Sequence, residues 1–200
     1  LLSDGWQHHN ELITLVLEGE LRARGPELTV RPVASDSDWR TLEALQWLEH
    51  QEEVTLGFHA AWDRCITEAI VRTKRSKSPA VQYQLAQVDG VDCAYFSAWP
   101  GDNGVGQIED LFTRAEFRGR GIGTALIASC VADARARGAG AIIVNPRADD
   151  TPKQLYAALG KRLVIYNGLW PMWAGLLEGQ TGLLPVADGV HITSLLTVGD

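Results

Sequence analysis

Hydrophobic and polar residues alternate in three consecutive segments in the middle of the chain. Residues 81–87 (VQYQLAQ), 91–99 (VDCAYFSAW) and 105–113 (VGQIEDLFT) each have the two-residue period of a strand that buries one face. Asp89 and Gly90, between the first two segments, form a pair typical of two-residue hairpin turns. The pattern therefore predicts an antiparallel meander of three strands.

The hydrophobic period lengthens to that of a helix after the meander. Apolar residues recur at three- and four-residue intervals until Gly138, and a short apolar segment follows at 141–144 (AIIV). Such a segment is typical of a strand covered on both faces. Residues 105–144 therefore predict a βαβ unit with a right-handed crossover. The apolar stripe of its helix comprises Leu126, Ile127, Cys130, Val131 and Ala134.

The first eighty residues carry less regular patterns. Residues 10–22 (NELITLVLEGELR) belong to a lead-in and are compatible with a strand or an amphipathic helix, whereas 27–33 (ELTVRPV) predicts a strand. Helices are predicted over 35–51 and 58–72, followed by a solvated basic link at 72–79 (RTKRSKSP). The leucines at helical spacing in the first helix are Leu42, Leu45 and Leu48.

The last fifty residues predict one further helix and an irregular tail. Thr151 and Gln154 form a capping box for a helix over 151–160 (TPKQLYAALG). The tail after it is apolar but poorly periodic, and strands are predicted only at 162–166 (RLVIY) and 190–196 (VHITSLL).

Composition narrows the class of protein. The chain has 200 residues, 46% of them hydrophobic, enough for one domain with an elaboration or two small ones. Its net charge of -7 argues against general binding to nucleic acid or anionic membranes and mildly favours cationic partners. Three widely spaced cysteines, Cys65, Cys93 and Cys130, form neither a metal-binding spacing nor a disulfide framework, which favours a reducing, cytoplasmic location.

A glycine-rich stretch stands directly before the predicted helix of the βαβ unit. The first N–H groups of a helix lack internal partners and carry positive partial charge, and glycines let the backbone close around an anion. Arg118 and Arg120 add positive charge. The stretch predicts a phosphate-binding loop; a tight turn that merely needs positive φ is the alternative. Its glycines are Gly119, Gly121 and Gly123.

The spacing of this loop excludes two common phosphate motifs. Thr124 stands where the dinucleotide fingerprint requires Gly or Ala, and the P-loop lysine is absent. The pattern R-x-x-G-x-G fits, as Arg118, Gly121 and Gly123.

In this context the pattern resembles the GCN5-related N-acetyltransferase (GNAT) superfamily. The loop is 118–126 (RGRGIGTAL), and the preceding strand, 108–117 (IEDLFTRAEF), is similar to the EDLFV strand of small-amine and polyamine acetyltransferases. The late helix is similar to the family segment with Tyr four residues before Gly. The resemblance divides the chain into a lead-in (1–27), a GNAT domain (28–160) and an atypical C-terminal segment (161–200) that completes the sheet.

The resemblance implies an α/β (α+β) fold with a mixed, splayed β-sheet flanked by helices, and acetyl-CoA as co-substrate without a metal. The pantetheine arm would lie beside Leu111, Phe112 and Thr113, in a slot where the sheet splays. The pyrophosphate would bind the backbone amides of Arg118, Gly119, Arg120, Gly121, Ile122, Gly123 and Thr124.

The resemblance also implies two catalytic residues. Glu109 stands where the family often carries its base, with a structural carboxylate as the alternative; Asp110 is expected on the opposite face of the strand. Tyr156 matches the tyrosine that protonates the thiolate, and a packing role is its alternative. The implied function is acetyl transfer to a primary amine of a small molecule, protein or peptide. A non-catalytic acyl-CoA-binding or regulatory module is the alternative.

Other candidates are weaker. His8, His9 and Glu11 lack a spaced fourth ligand for a metal. The acidic run 49–54 (EHQEEV) either attracts an amine or forms a solvated face. The apolar tail over 170–196 predicts a surface that is covered either by the sheet of the same chain or by a second copy of the chain in a homodimer. Tryptophans predicted as core or as a wall of the acceptor pocket are Trp39, Trp47 and Trp62.

Overall fold

The computed structural model describes residues 14–17, 20–21, 25–58, 61–99, 101, 104–146 and 162–164. Contacts divide the chain into a larger unit, residues 23–142, and a smaller one, residues 1–22 and 143–200. The predicted late helix with Tyr156, the histidines of the lead-in and the tail over 170–196 lie outside the described residues.

A sheet forms the centre of the larger unit, with strand order β2-β3-β4-β5-β6. The predicted meander is confirmed, because β3 pairs antiparallel with β4 and β4 with β5. The turn between β3 and β4 has positive φ at Asp89 (52°) and Gly90 (78°), as a two-residue hairpin requires. The strands are β2 (Thr29–Pro32), β3 (Gln82–Val88), β4 (Val91–Trp99), β5 (Val105–Thr113) and β6 (Ala141–Val144).

The first helix, α1 (Asp36–Thr55), begins as the sequence predicts. Ser35 is its N-cap and forms a capping box with Asp38. Leu42 and Leu45 are buried, but Leu48 is 41% exposed and lies outside the core. The core of the larger unit joins these leucines to aromatic residues of the sheet, among them Tyr83, Tyr95 and Phe112.

The second helix, α2 (Arg64–Lys77), is displaced from its predicted position. Asp63 caps it by accepting from the Cys65 backbone N–H, so it starts six residues after Phe58. The predicted solvated link at 72–79 is wrong, because residues 72–77 continue this helix and Lys74 is buried.

The third helix, α3 (Ile122–Ala136), follows the Gly-rich loop and a short 3-10 turn at Ala115–Phe117. All five residues of its predicted apolar stripe are buried. Helix α3 ends before Gly138, whose φ of 90° is accessible to glycine at little cost. The strand–helix–strand order of the predicted βαβ unit is confirmed, with β6 next to β5 in the sheet.

The smaller unit contains two short described strands. Strand β1 (Thr14–Leu17) pairs antiparallel with β7 (Arg162–Val164), with Leu15 opposite Leu163. The ambiguous segment 10–22 therefore includes a strand, and β7 lies within the predicted strand 162–166.

Candidate active site

A β-bulge interrupts β5 at the two acidic residues. Ser97 of β4 pairs with Glu109, whereas Tyr95 pairs with Phe112, so two residues of β5 face one of β4. Asp110 adopts a φ of 48°, in the left-handed region that few non-glycine residues occupy. The bulge therefore reorients the side chains at the middle of β5.

The two carboxylates consequently share one groove, and the expectation that Asp110 faces the opposite side of the strand is wrong. Glu109 and Asp110 are both exposed, breaking the alternation of the strand. Both line a groove of about 480 Å³ between α2 and the sheet, which we call the α2–β5 groove. Strict alternation fails here because the extra residue of the bulge shifts the side-chain period by one.

Asp110 is held by two partners across the groove. The Lys74 ammonium lies 2.6 Å from Asp110 Oδ2, and Ser97 Oγ donates to the same oxygen at 2.8 Å. Lys74 Nζ also lies 5.6 Å from the centre of the Tyr95 ring. These contacts hold Asp110 in its uncommon backbone conformation and tie α2 to the bulge.

Glu109 has a different environment. Its carboxylate accepts a hydrogen bond from the neutral amide of Gln107. Burial, followed by the charge of Asp110, raises the pKa of Glu109, while Gln107, Lys74 and Lys77 act in the opposite direction. A carboxylate with a raised pKa that faces a groove can accept a proton from a bound ammonium more readily than a solvated one.

A further acidic residue, Glu49 of α1, contacts β4. It accepts a hydrogen bond from the hydroxyl of Tyr95, a fully buried side chain. Burial raises the pKa of Glu49 to about 7 despite this bond and the nearby Lys74. The alternative of a solvated face is therefore wrong for this part of 49–54. His50 is also buried, and its Nδ1 lies 2.8 Å from Thr67 Oγ1.

The Gly-rich loop has the geometry of an anion-binding helix start. Gly121 is the N-cap of α3 with φ 77°, and no side chain caps this end of the helix. Gly119 has φ 73°, and a Cβ placed there would meet no atom within 4 Å. The loop therefore offers open backbone on this side, as the pyrophosphate of CoA requires.

The lead-in packs against another side of the same loop. A Cβ at Gly25 would lie 2.4 Å from the backbone nitrogen of Ala125 and 2.5 Å from Gly121 O. A Cβ at Gly121 would lie 3.0 Å from Pro26 Cδ. Local sequence patterns do not predict this contact, because it joins residues almost a hundred positions apart.

The two arginines of the loop already have protein partners. Arg118 forms a bidentate ion pair with Glu52 of α1, with Nη2 2.7 Å from Oε2, and its Nε donates to Thr113 O at 2.8 Å. Arg120 Nη2 donates to Glu116 O at 3.2 Å. Glu52 therefore reduces the positive charge that Arg118 was predicted to add to the loop.

The remaining residues predicted to bind the co-substrate differ in what they can offer. Phe112 and Ile122 are buried by the core, which leaves their backbone as the available part. Leu111, Thr113, Gly123 and Thr124 are partly exposed. These positions fit main-chain recognition of a pantetheine arm and a pyrophosphate.

Sequence reasoning missed several residues of the groove. Lys74 was assigned to a link because of the surrounding basic residues, although its helical spacing from Thr67 and Val71, both buried, was an available signal. Trp99 also lines the groove and is 40% exposed, whereas Trp39 lies in the core and Trp47 and Trp62 are partly exposed.

Comparison with known proteins identifies the family. The profile of the acetyltransferase (GNAT) family matches residues 39–160. This chain belongs to that family. The predicted fold class is confirmed, since solved GNAT structures share its fold. No curated protein matches the sequence.

Three solved structures illustrate the likeness of this GNAT protein to known folds. A conserved protein of unknown function from Staphylococcus epidermidis is 14% identical, with a TM-score of 0.57, and covers 77% of this chain, which spans 57% of that protein. A possible acetyltransferase from Clostridium difficile is 16% identical, with a TM-score of 0.57, and the match covers 72% of this chain and 95% of that protein. AAC(6')-Iy, solved with the bisubstrate analogue CoA-S-monomethyl-acetylneamine, is 18% identical, with a TM-score of 0.51, and the match covers 72% of this chain and 99% of that protein. Identities this low show the fold alone.

Two further findings concern the described residues only. Among them, no helix is long and apolar enough to cross a membrane. Within the same part of the chain, no cluster of three or more His, Cys, Asp or Glu residues could hold a metal ion.

Proposed function

We propose that this GNAT protein transfers the acetyl group of acetyl-CoA to a primary amine bound in the α2–β5 groove. The observation that carries the proposal is the position of Glu109, which pairs with Ser97 beside the bulge of β5 and lines the groove on the strand that leads to the Gly-rich loop. The pKa of Glu109 is raised towards neutral pH, which makes the carboxylate a stronger base.

The main chain supplies the binding of acetyl-CoA, which when bound provides an activated acyl group as a thioester. The backbone amides of residues 118–124 hold the pyrophosphate, and residues 111–113 pair with the pantetheine arm. Open space beside Gly119 and the uncapped start of α3 support this assignment.

The side chains supply the proton transfers. Glu109 accepts the proton of the acceptor ammonium, directly or through water, so that the neutral amine attacks the thioester carbonyl. As the C–S bond breaks, Tyr156 donates a proton to the departing thiolate and is reprotonated by the second proton that the attacking nitrogen releases. This role rests on the sequence motif, since Tyr156 lies outside the described residues. A cytoplasmic location and a homodimer stay predictions from the cysteine pattern and the apolar tail.

An amine-library screen with thiol detection of released CoA, preceded by calorimetry of acetyl-CoA binding, tests the proposal. We expect binding, turnover of at least one amine, and a fall in turnover of about 10²–10⁴-fold for Glu109→Gln. Tyr156→Phe should lower turnover while barely changing acetyl-CoA affinity. Binding without turnover of any amine would favour the non-catalytic acyl-CoA module instead.

A further inference from the structure

The α2–β5 groove has both acidic and apolar lining residues. Glu109 and Asp110 are the acidic ones, and Asp110 lies beside Ser97. Trp99 stands two residues beyond Ser97 on β4, and therefore on the same face of the strand. The other apolar residues that line the groove are Ala69, Ile70 and Val81.

The spacing of Trp99 and Glu109 suits a small molecule. Ser97 pairs with Glu109 and Trp99 with Gln107, so Trp99 lies two strand residues away from the base. Two residues of a strand span roughly 6.6 Å. An ammonium at Glu109 would thus place a ring two or three bonds further along against the indole of Trp99.

The charges of the groove discriminate against polycations. Helix α2 contributes Lys74 and Lys77 to the lining, and Lys74 already neutralises Asp110 at 2.6 Å. Glu109, by contrast, accepts from the neutral amide of Gln107. One carboxylate is therefore available to one ammonium, and a second ammonium in the groove would meet the positive charge of Lys77.

We infer that the acceptor is a monoamine with an apolar, ring-sized body, and that polyamines and polycationic amino sugars are poor acceptors. The inference rests on the proposed function, which it makes more specific. The β5 sequence is similar to that of polyamine acetyltransferases and would by itself suggest a polyamine as acceptor. The inference differs because it depends on the two lysines of the groove, which lie on α2 and not on β5.

The test compares amines under one assay. Acetyl transfer from acetyl-CoA to 2-phenylethylamine, n-butylamine, spermidine and neamine is followed by release of CoA. We expect kcat/KM for 2-phenylethylamine to exceed the values for spermidine and neamine at least tenfold. Trp99→Ala should reduce the preference for 2-phenylethylamine over n-butylamine by about tenfold, since an aromatic contact is lost only for the former.

A charge reversal on α2 tests the role of the lysines in excluding polycations. Lys77→Glu should raise the ratio of kcat/KM for spermidine to that for 2-phenylethylamine several-fold, and Lys77→Gln should raise it less. Arg72→Glu, the same reversal at an exposed position of α2 outside the groove lining, controls for the change in net charge.

The outcomes separate the inference from the proposed function. A preference for spermidine or neamine, with acetyl transfer intact, overturns the inference and leaves the proposed function standing. If acetyl-CoA is neither bound nor used, the proposed function fails, and calorimetry of amine binding decides the inference. Tighter binding of 2-phenylethylamine than of spermidine then supports it; the reverse order, or no binding of either, overturns it.

Discussion

Lys74 Nζ lies 2.6 Å from Asp110 Oδ2, and only 9% of the Lys74 side chain is exposed. This ion pair joins α2 to the bulge of β5, next to Glu109. The Lys74 end of this ion pair is shielded from solvent whereas Asp110 is 36% exposed, so the pair is partly screened and its two charges act on neighbouring groups with opposite sign. The geometry therefore couples the titration of Glu109 to both residues of the pair.

Removing the two charges separately should shift the pH–rate profile in opposite directions. Asp110→Asn deletes the negative charge that raises the pKa of Glu109, so the rising acidic limb should move to lower pH. Lys74→Met deletes a positive charge that lowers this pKa, so the limb should move to higher pH.

The groups that face Glu109 are Lys74 and Lys77 from α2, Asp110 and Gln107 on its own strand, and Tyr83 from β3. Asp133→Asn, which breaks an exposed ion pair of α3 with Arg137, is the control and should leave the limb in place. Shifts of the same sign for Asp110→Asn and Lys74→Met would show that Glu109 is not the group that controls the limb.

Gly121 should be required for CoA binding beyond its effect on stability. Valine there would occupy an unfavourable positive φ and press against Pro26, at a cost of about 1–3 kcal/mol. Because its side chain would also crowd the loop, we expect CoA affinity to fall at least tenfold by calorimetry. Gly90→Val provides the matched control, since Gly90 also has a positive φ (78°), in the β3–β4 turn, with open space around it. Equal loss of affinity in both variants would make the effect one of stability alone.

Much of the fold follows from periodicity. Strands β3 to β5 alternate and helix α3 carries a clean apolar stripe, so each local pattern agrees with its packing. The end of α2 was not predicted because its basic residues resemble a solvated link, while burial of Lys74 depends on a carboxylate from a distant strand. Local patterns contain no information about such long-range partners.

The candidate site was predictable in the same uneven way. Glu109 and the Gly-rich loop stand out as a motif, whereas the common orientation of Glu109 and Asp110 does not. This common orientation depends on a β-bulge, which two adjacent acidic residues do not predict. The ion pair of Arg118 with Glu52 likewise joins residues 66 positions apart.

Glu49 should make stability depend on pH. Its folded-state pKa, raised to about 7 from 4.5, means that the native protein holds a proton which the unfolded chain releases. The free energy of unfolding should therefore decrease as pH rises from about 4.5 to about 7, and then level off. Because Glu49 is partly exposed, solvent screens part of its interactions. The expected decrease in the free energy of unfolding is therefore on the order of 2 kcal/mol.

Urea unfolding at a series of pH values measures this effect. Glu49→Gln keeps an acceptor for the Tyr95 hydroxyl and removes the titration, so its stability should be flatter over that range. Glu43→Gln, on the same helix and 3.5 Å from the exposed Arg64, should retain the wild-type slope. A wild-type slope in Glu49→Gln would assign the pH dependence to another group.

The ion pair of Glu52 with Arg118 should weaken CoA binding in the native protein. Glu52 neutralises the guanidinium of the one loop arginine that also contacts β5, through Thr113 O. Glu52→Gln removes this competition, and the half-exposed Arg118 then adds its full charge to the loop. A partly screened charge of this kind contributes about 0.5–1 kcal/mol, so we expect CoA affinity to rise roughly two- to fivefold. The gain should shrink as ionic strength increases, because the Debye length falls.

Calorimetry with CoA at two salt concentrations measures the gain. Asp36→Asn, which breaks the exposed ion pair of Asp36 on α1 with Arg75 on α2, changes the net charge equally and should leave the affinity unchanged. A fall in affinity for Glu52→Gln would mean that Glu52 instead holds Arg118 in the orientation that CoA requires. Arg118→Met would then lower the affinity by the same factor, because both substitutions would destroy one arrangement.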